Sequence, residues 1–327
     1  MVNISKKSLD KAGDVLRTNH GDILSLQLLS TWRAKHTHPL YLAYKLVKKY
    51  CNNIENNALY GQRLKRMNSI LYKLNRNPDM KLSRMQDVGG CRVILSDYKK
   101  LFDLYYLIKS SRSILDKDKN YIHYPKEDGY RSIHLIYQCN SKNIEYNGLK
   151  IEIQLRTKLQ HSWSTTVEII DIFENQSLKL GGGSNYWREF FRLVSDEFAL
   201  LEGLPVINRP TEQSKNRLKD LAKKLFVINK LINYRSTIKL IDYPVNKNAE
   251  FSILIINLDL HKSEIITYSD LVSATDSYLD LETKNIDNSR FNVLLLKMDD
   301  IKQIKKTYPN YFADSAKFIE ILQNILK

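Results

Sequence analysis

From Pro39 to Leu74 apolar residues recur three and four apart: Leu42, Leu46 and Val47, then Ile54, Leu59, Leu64, Met67, Ile70, Leu71 and Leu74. This spacing predicts amphipathic helices across the whole stretch, and residues 1–30 predict one or two more. Asn77-Pro78-Asp79 is a turn signal that ends the pattern. The period then changes. Val88, Cys91, Val93, Ile94 and Leu95 surround Gly89 and Gly90 and predict a short buried strand. Helical spacing returns over Tyr98–Ser113. Ile133–Gln138 and Ile151–Leu155 predict strands joined by a hairpin near Tyr146–Gly148. Leu159–Phe173 and Trp187–Leu201 predict helices, with a glycine loop at Gly181–Ser184 between them.

Gly203–Pro210 holds two prolines and predicts a boundary, which divides the chain into residues 1–205 and 206–327. Beyond it, Ser214–Ile232 predicts one long basic helix. Thr237–Asp242, Phe251–Leu258, Glu264–Thr267 and Asn292–Lys297 predict strands. Ser269–Leu281, Asp299–Thr307 and Ala313–Leu326 predict helices. The longest apolar runs, Leu254–Leu258 and Val293–Leu296, fall far short of the ~18 residues of a membrane span.

Charge changes this picture. The 327 residues carry 51 Lys and Arg against 36 Asp and Glu, a net +15. Residues 1–210 hold +12 of that and residues 211–327 only +3. A basic half points to a polyanionic partner, although a basic surface kept for solubility has the same count. Cys51, Cys91 and Cys139 are too far apart for a C-x-x-C pair, which fits a reducing cytoplasm. No apolar leader opens the chain, so no secretion is expected.

Four clusters between residues 63 and 161 carry candidate chemistry. Arg63, Lys65, Arg66, Ser69, Lys73 and Arg76 fall on one predicted helix, where converging cations suit polyphosphate, although taken alone they fit an ordinary solvated basic face better. Asp87 stands just before the Gly89–Gly90 strand, as a metal-binding carboxylate or a plain turn residue. Lys126 and Tyr130 flank Gly129, offering a phosphate contact and an aromatic face for a base, or a surface turn with a plug. Glu152, Gln154 and Arg156 alternate along a strand and share one face, a polar cleft or a solvated one. His161, Trp163 and Glu168 follow on the next helix.

In order and spacing these clusters resemble the synthetase domain of RelA/SpoT-type alarmone synthetases. The family's R-x-K…S…K is matched by Arg63, Lys65, Ser69 and Lys73, and its D-x-x-G-x-R by Asp87, Gly90 and Arg92. Its K-x-x-G-Y-x-S-x-H is matched by Lys126, Gly129, Tyr130, Ser132 and His134, and its E-x-Q-x-R-T by Glu152, Gln154, Arg156 and Thr157. The resemblance covers residues 40–200 or so. It implies an α+β fold, a mixed sheet flanked by helices and similar to nucleotidyltransferases. It also implies transfer of the β,γ-pyrophosphate of ATP to a ribose hydroxyl. Carried over, Arg63 and Arg92 would sandwich adenine, and Lys65, Ser69 and Lys73 would hold the ATP phosphates. Asp87 and Glu152 would bind Mg2+, with Glu152 also activating the hydroxyl. Lys126, Tyr130, His134, Gln154 and His161 would line the acceptor site. One departure is the acidic pair Glu127-Asp128, where many members have Pro-Asn. The metal-dependent hydrolase of bifunctional members is not expected, since no His is followed by Asp.

Tyr308 and Tyr311, with Leu159–Ser164 and Phe198–Pro205, resemble segments of fused toxin–antitoxin synthetases of the CapRel type. That resemblance implies a smaller α/β regulatory domain at residues 206–327, with Tyr308 and Tyr311 restraining ATP binding. It also implies the tRNA 3′ CCA end as acceptor in place of GDP or GTP, and a phage capsid protein as trigger. Packing aromatics beside a helix are the plainer reading of the two tyrosines. A non-catalytic RNA-binding or sensor module is the rival from another class.

Overall fold

The computed structural model describes residues 4–112, 114–237, 239–240, 249–257, 259–260, 262–285, 288, 290–297, 309 and 314–327. Five strands make the first sheet: Leu59–Leu64 (β1), Gly89–Leu95 (β2), Ile114–Asn120 (β3), Ile133–Gln138 (β4) and Lys150–Thr157 (β5). Their order is β1-β2-β5-β4-β3, with β5 parallel to β2 and the other neighbours antiparallel. The sheet is therefore mixed, and β5 is its central strand.

Alternation along β5 gives the sheet two unlike faces. Ile151, Ile153 and Leu155 are fully buried, with Cys91, Val93, Ile133 and Leu135 beside them. Helices Thr37–Cys51 (α3) and Tyr98–Lys109 (α5) cover this apolar face. All three cysteines are buried in the same core, and desolvation pushes their thiols up, Cys91 to about 12. Glu152, Gln154 and Arg156 turn to the other face.

Lys158–Glu174 (α6) follows β5 without a break. A reciprocal cap starts it: Thr157 Oγ1 accepts the Gln160 N–H at 3.2 Å, and the Gln160 side chain accepts the Thr157 N–H at 3.3 Å. Asn185–Leu201 (α7), Glu212–Lys224 (α8), Val227–Thr237 (α9) and Ala316–Leu326 (α11) pack with α6 around Trp163, Phe190, Phe198, Leu221 and Phe318. Lys6–Thr18 (α1), Ile23–Lys35 (α2) and Met67–Arg76 (α4) share a third cluster. A second sheet holds Lys239–Leu240 (β6), Phe251–Asn257 (β7), Lys262–Tyr268 (β8) and Phe291–Lys297 (β9) in the order β6-β8-β7-β9, with Leu271–Lys284 (α10) against it. β9 lies against β1, and Ile253, Val293 and Tyr278 join the core of the first sheet.

The structure corrects three expectations. Residues 59–64 are a strand and not part of a helix, because six consecutive residues find ladder partners from Ile94 back to Gly89; tertiary pairing overrides the local spacing. The expected single helix over Ser214–Ile232 is two, α8 and α9, broken at Phe226, whose φ of 50° is left-handed. Strand β3 was not expected: its polar sequence suits an edge strand paired on one side only. Asp299–Thr307, Tyr308 and Tyr311 lie outside the described residues. Among the described residues no helix is long and apolar enough to cross a membrane.

Ile153 sits at the centre of the apolar face with no exposed surface. Ile153→Ala is expected to cost about 2–5 kcal/mol. Urea denaturation of the two proteins checks it.

Candidate active site

Register assembles the polar face. Arg63 pairs with Gly90, and Gly90 with Glu152, so no side chain stands between arginine and carboxylate in that row. In the next row Gly61 pairs with Arg92, Arg92 with Gln154, and Gln154 with His134. Arg63, Arg92, Glu152, Gln154 and His134 therefore share one side of the sheet.

Near Glu152 two lysines converge on one carboxylate. Lys65 follows β1, its N–H held by Val88 O at 2.7 Å. Its Nζ is 3.0 Å from Asp87 Oδ2, and Lys73 Nζ, reaching from α4, is 2.8 Å from Asp87 Oδ1. One carboxylate thus spaces two ammonium groups. Burial alone would raise the Asp87 carboxyl, but the two lysines outweigh it and hold it below the usual range. The charge of Glu152 opposes them, so the two carboxylates are within electrostatic reach of each other. Ser69 is exposed on α4, one turn before Lys73. The cations expected on a single helix thus come from a strand, a corner and a helix.

At the other end runs a chain of side-chain hydrogen bonds. Glu152 Oε1 accepts from His134 Nδ1 at 2.9 Å and Oε2 accepts from Gln154 Nε2 at 2.6 Å. His134 Nε2 is 2.7 Å from the Tyr130 hydroxyl, to which an Arg156 guanidinium N–H donates at 2.8 Å. Lys126 Nζ lies 4.9 Å from the centre of the Tyr130 ring and Arg156 Cζ lies 5.2 Å from it. Burial would raise both the Glu152 and Tyr130 groups. Hydrogen bonds from His134 and Gln154, with the charges of His134 and Lys65, instead hold Glu152 at about 2. The charges of Arg156 and His134 bring Tyr130 down to about 7. His134 moves upward despite its burial, drawn by Tyr130 and Glu152. His161 is buried at the start of α6, 5% exposed.

The Tyr130 loop is anchored from behind. Gly129 has φ +91°, and a Cβ there would meet Ser195 Cβ at 2.8 Å. The Arg131 guanidinium is buried against Asp196 Oδ1 at 3.2 Å, and it also donates to Ser195 Oγ at 3.1 Å and Pro205 O at 2.6 Å. Asp128, half of the unusual acidic pair, accepts the Tyr130 N–H at 2.9 Å.

Sequence reasoning gave Arg156, Glu168 and Lys179 no role. Glu168 on α6 pairs with Lys179 and lies in the field of Arg63 and Arg92. Burial would raise its carboxyl, but these three cations hold it far below the usual range. Strand alternation already placed Arg156 on the polar face. Lys179 sits in the middle of a single 3-10 turn, Leu178–Leu180, too short to leave a pattern in the sequence.

Because Tyr130 ionises near 7 in the folded chain and near 10 when unfolded, the unfolded state binds more protons in between. Its contribution is therefore gained as pH rises through about 7 towards 10 and lost as pH falls back through 7. Tyrosinate absorbance, taken as the difference from Tyr130→Phe, should titrate near 7 and move upward in Arg156→Gln. An unmoved midpoint would remove Arg156 as the cause.

Comparisons with known proteins match this region. Residues 62–170 match the family model described as "Region found in RelA / SpoT proteins". GTP pyrophosphokinase YwaC of Bacillus subtilis (strain 168) is 33% identical over 113 residues, 32% of this chain and 52% of that protein. GTP pyrophosphokinase YjbM of the same organism is 33% identical over 110 residues, 32% of this chain and 51% of that protein. The chain thus spans about half the length of the curated relatives it matches. The crystal structure of small alarmone synthetase 1 from Bacillus subtilis bound to its product pppGpp has 20% identity and a TM-score of 0.45, over 51% of this chain and 89% of that one. The stretch that carries Arg63, Asp87, Tyr130, Glu152 and Glu168 is the one that matches this family model.

Proposed function

We propose that this chain is an ATP-dependent pyrophosphokinase that moves the β,γ-pyrophosphate of ATP to a ribose hydroxyl. The observation that carries the reading is the convergence of Lys65 and Lys73 on Asp87, in electrostatic reach of Glu152 on the polar face of the sheet. Transfer of this kind needs positioning and charge neutralisation more than covalent catalysis. Arg63 and Arg92 hold the adenine, and Lys65, Ser69 and Lys73 take its phosphates. Lys126, Tyr130, His134, Gln154 and His161 line the acceptor side.

Asp87 and Glu152 offer oxygen donors only, which fits Mg2+ completed by phosphate oxygens and water. When bound, the ion would offset the charge of the triphosphate. The residues of the chain do the rest. Lys65 and Lys73 exchange Asp87 for phosphate oxygens. His134 and Gln154 keep the Glu152 carboxylate ionised and fixed, so that it accepts the hydrogen bond of the attacking hydroxyl and orients it. The hydroxyl oxygen bonds to the β-phosphorus as its proton passes to the Glu152 carboxylate and on to solvent, the bond from the β-phosphorus to the bridging oxygen breaks with its electron pair kept on that oxygen, and AMP leaves.

For the acceptor we favour the tRNA 3′ CCA end, on the +12 carried by residues 1–210. The relatives' name, GTP pyrophosphokinase, favours GDP or GTP as the second reading. Residues 206–327 act as the regulatory part of an anti-phage toxin–antitoxin fusion in the cytoplasm, with Tyr308 and Tyr311 as its contact to the donor site and a capsid protein as its trigger. Incubating the protein with γ-labelled ATP and either tRNA or GDP and GTP decides the acceptor by which product carries label. Label in neither would end the reading.

Asp87→Asn removes a charge shared by two lysines and the metal. It is expected to lower transfer at least about a hundredfold while the circular dichroism spectrum stays unchanged. Wild-type turnover in the folded variant would dismiss Asp87 as a catalytic group.

A further inference from the structure

Helix α4 carries Ser69 and Lys73 and begins directly after Lys65, yet its own N-cap residue, Arg66, supplies no side-chain cap. Helices α1, α2, α5, α7 and α10 are each capped by a Ser or Asp just before them. For α4 the cap comes from 215 residues away: Glu282 Oε1 on α10 accepts the Met67 N–H at 3.1 Å. The other oxygen of the same carboxylate is 2.6 Å from an Arg33 guanidinium nitrogen. Arg33 is 0% exposed and also donates to two further groups. Its Nε donates to the Lys65 carbonyl at 3.0 Å, and its second terminal nitrogen donates to the Tyr278 hydroxyl at 2.8 Å. Arg66 donates to Asn292 Oδ1 on β9, a residue 3% exposed. Three consecutive residues, Lys65 to Met67, are thus held by α2, α10 and β9 together.

We infer that Arg33 and Glu282 are positioning residues for Lys65, so that α10 and β9 form a working part of the donor-phosphate site. The inference rests on the reading of Lys65 as a phosphate ligand. Along the corner Lys65 N–H also bonds to Val88 O, the Met67 side chain is buried in the cluster shared with α1 and α2, and from there the chain turns into α4. Bonds to the Lys65 carbonyl and the Met67 amide fix the direction in which the Lys65 side chain leaves the backbone. That direction decides whether Nζ meets Asp87 and, with substrate, the phosphates. Neither Arg33 nor Glu282 needs to touch the nucleotide.

The test measures binding of a non-hydrolysable ATP analogue to the full chain by calorimetry, alongside the acceptor KM. Glu282→Gln keeps an acceptor for the Met67 amide but loses the ion pair with Arg33. It should weaken the analogue between about tenfold and about a hundredfold and leave the acceptor KM unchanged. In a Lys65→Ala background the same substitution should have no further effect. Equal losses with and without Lys65, or wild-type affinity in folded Glu282→Gln, would overturn the inference. Should Glu282→Gln not fold, Tyr278→Phe removes only the hydroxyl to which Arg33 donates. It should weaken binding in the same direction by less, and no loss at all counts against the inference. The two readings separate through Lys65→Ala alone. If that variant binds the analogue normally, the phosphate assignment falls and takes the positioning role with it. If it binds weakly while Glu282→Gln binds normally, only the positioning role is lost.

Discussion

The two-residue period of β5 is the constraint on which the rest depends. Its odd residues, Ile151, Ile153 and Leu155, are wholly buried, and each such side chain contributes about 1.5–3 kcal/mol. Its even residues, Glu152, Gln154 and Arg156, therefore face the opposite side. A register slip by one residue would bury a carboxylate, an amide and a guanidinium in the core and expose the three aliphatic chains. Packing of the apolar face thus fixes the orientation of the polar one. The orientation of these three polar side chains needs no separate folding element.

The polar face is filled by its own charges. Asp87 stands where phosphate oxygens would lie between Lys65 and Lys73. Glu168 stands beside Arg63 and Arg92, and Lys126 and Arg156 lie over the Tyr130 ring. Each internal contact holds one of these long charged side chains in place on the polar face. The cost of ordering these long side chains is met during folding, which leaves less to lose when a ligand binds. On the proposed reading the same contacts compete with the ligand, and affinity would depend on how much better a polyphosphate satisfies two lysines than one carboxylate does.

Much of the first sheet was legible in the sequence because β2, β4 and β5 carry unbroken apolar or alternating runs. The strand at Leu59–Leu64 was not, because its apolar residues fall into helical spacing by chance and its pairing with β2 is visible only in three dimensions. The break at Phe226 was missed for a related reason: neither glycine nor proline marks it, and a phenylalanine holds the left-handed turn. At the site, Asp87, Tyr130 and Glu152 lie in short motifs and could be named from order and spacing. Glu282 and Arg33 carry no motif. Their meeting with Lys65 is made by the docking of the second sheet against β1, and no local pattern encodes that contact.

The three cysteines all sit on the packed side of the first sheet, away from the polar face, with thiols driven toward the protonated form. A protonated, shielded thiol is a poor nucleophile. Oxidants and alkylating agents therefore have little access to these three positions on the folded chain. Modification at Cys91 requires the sheet to part from α3 and α5, so the rate at which a thiol reagent is consumed becomes a clock for the opening of this core.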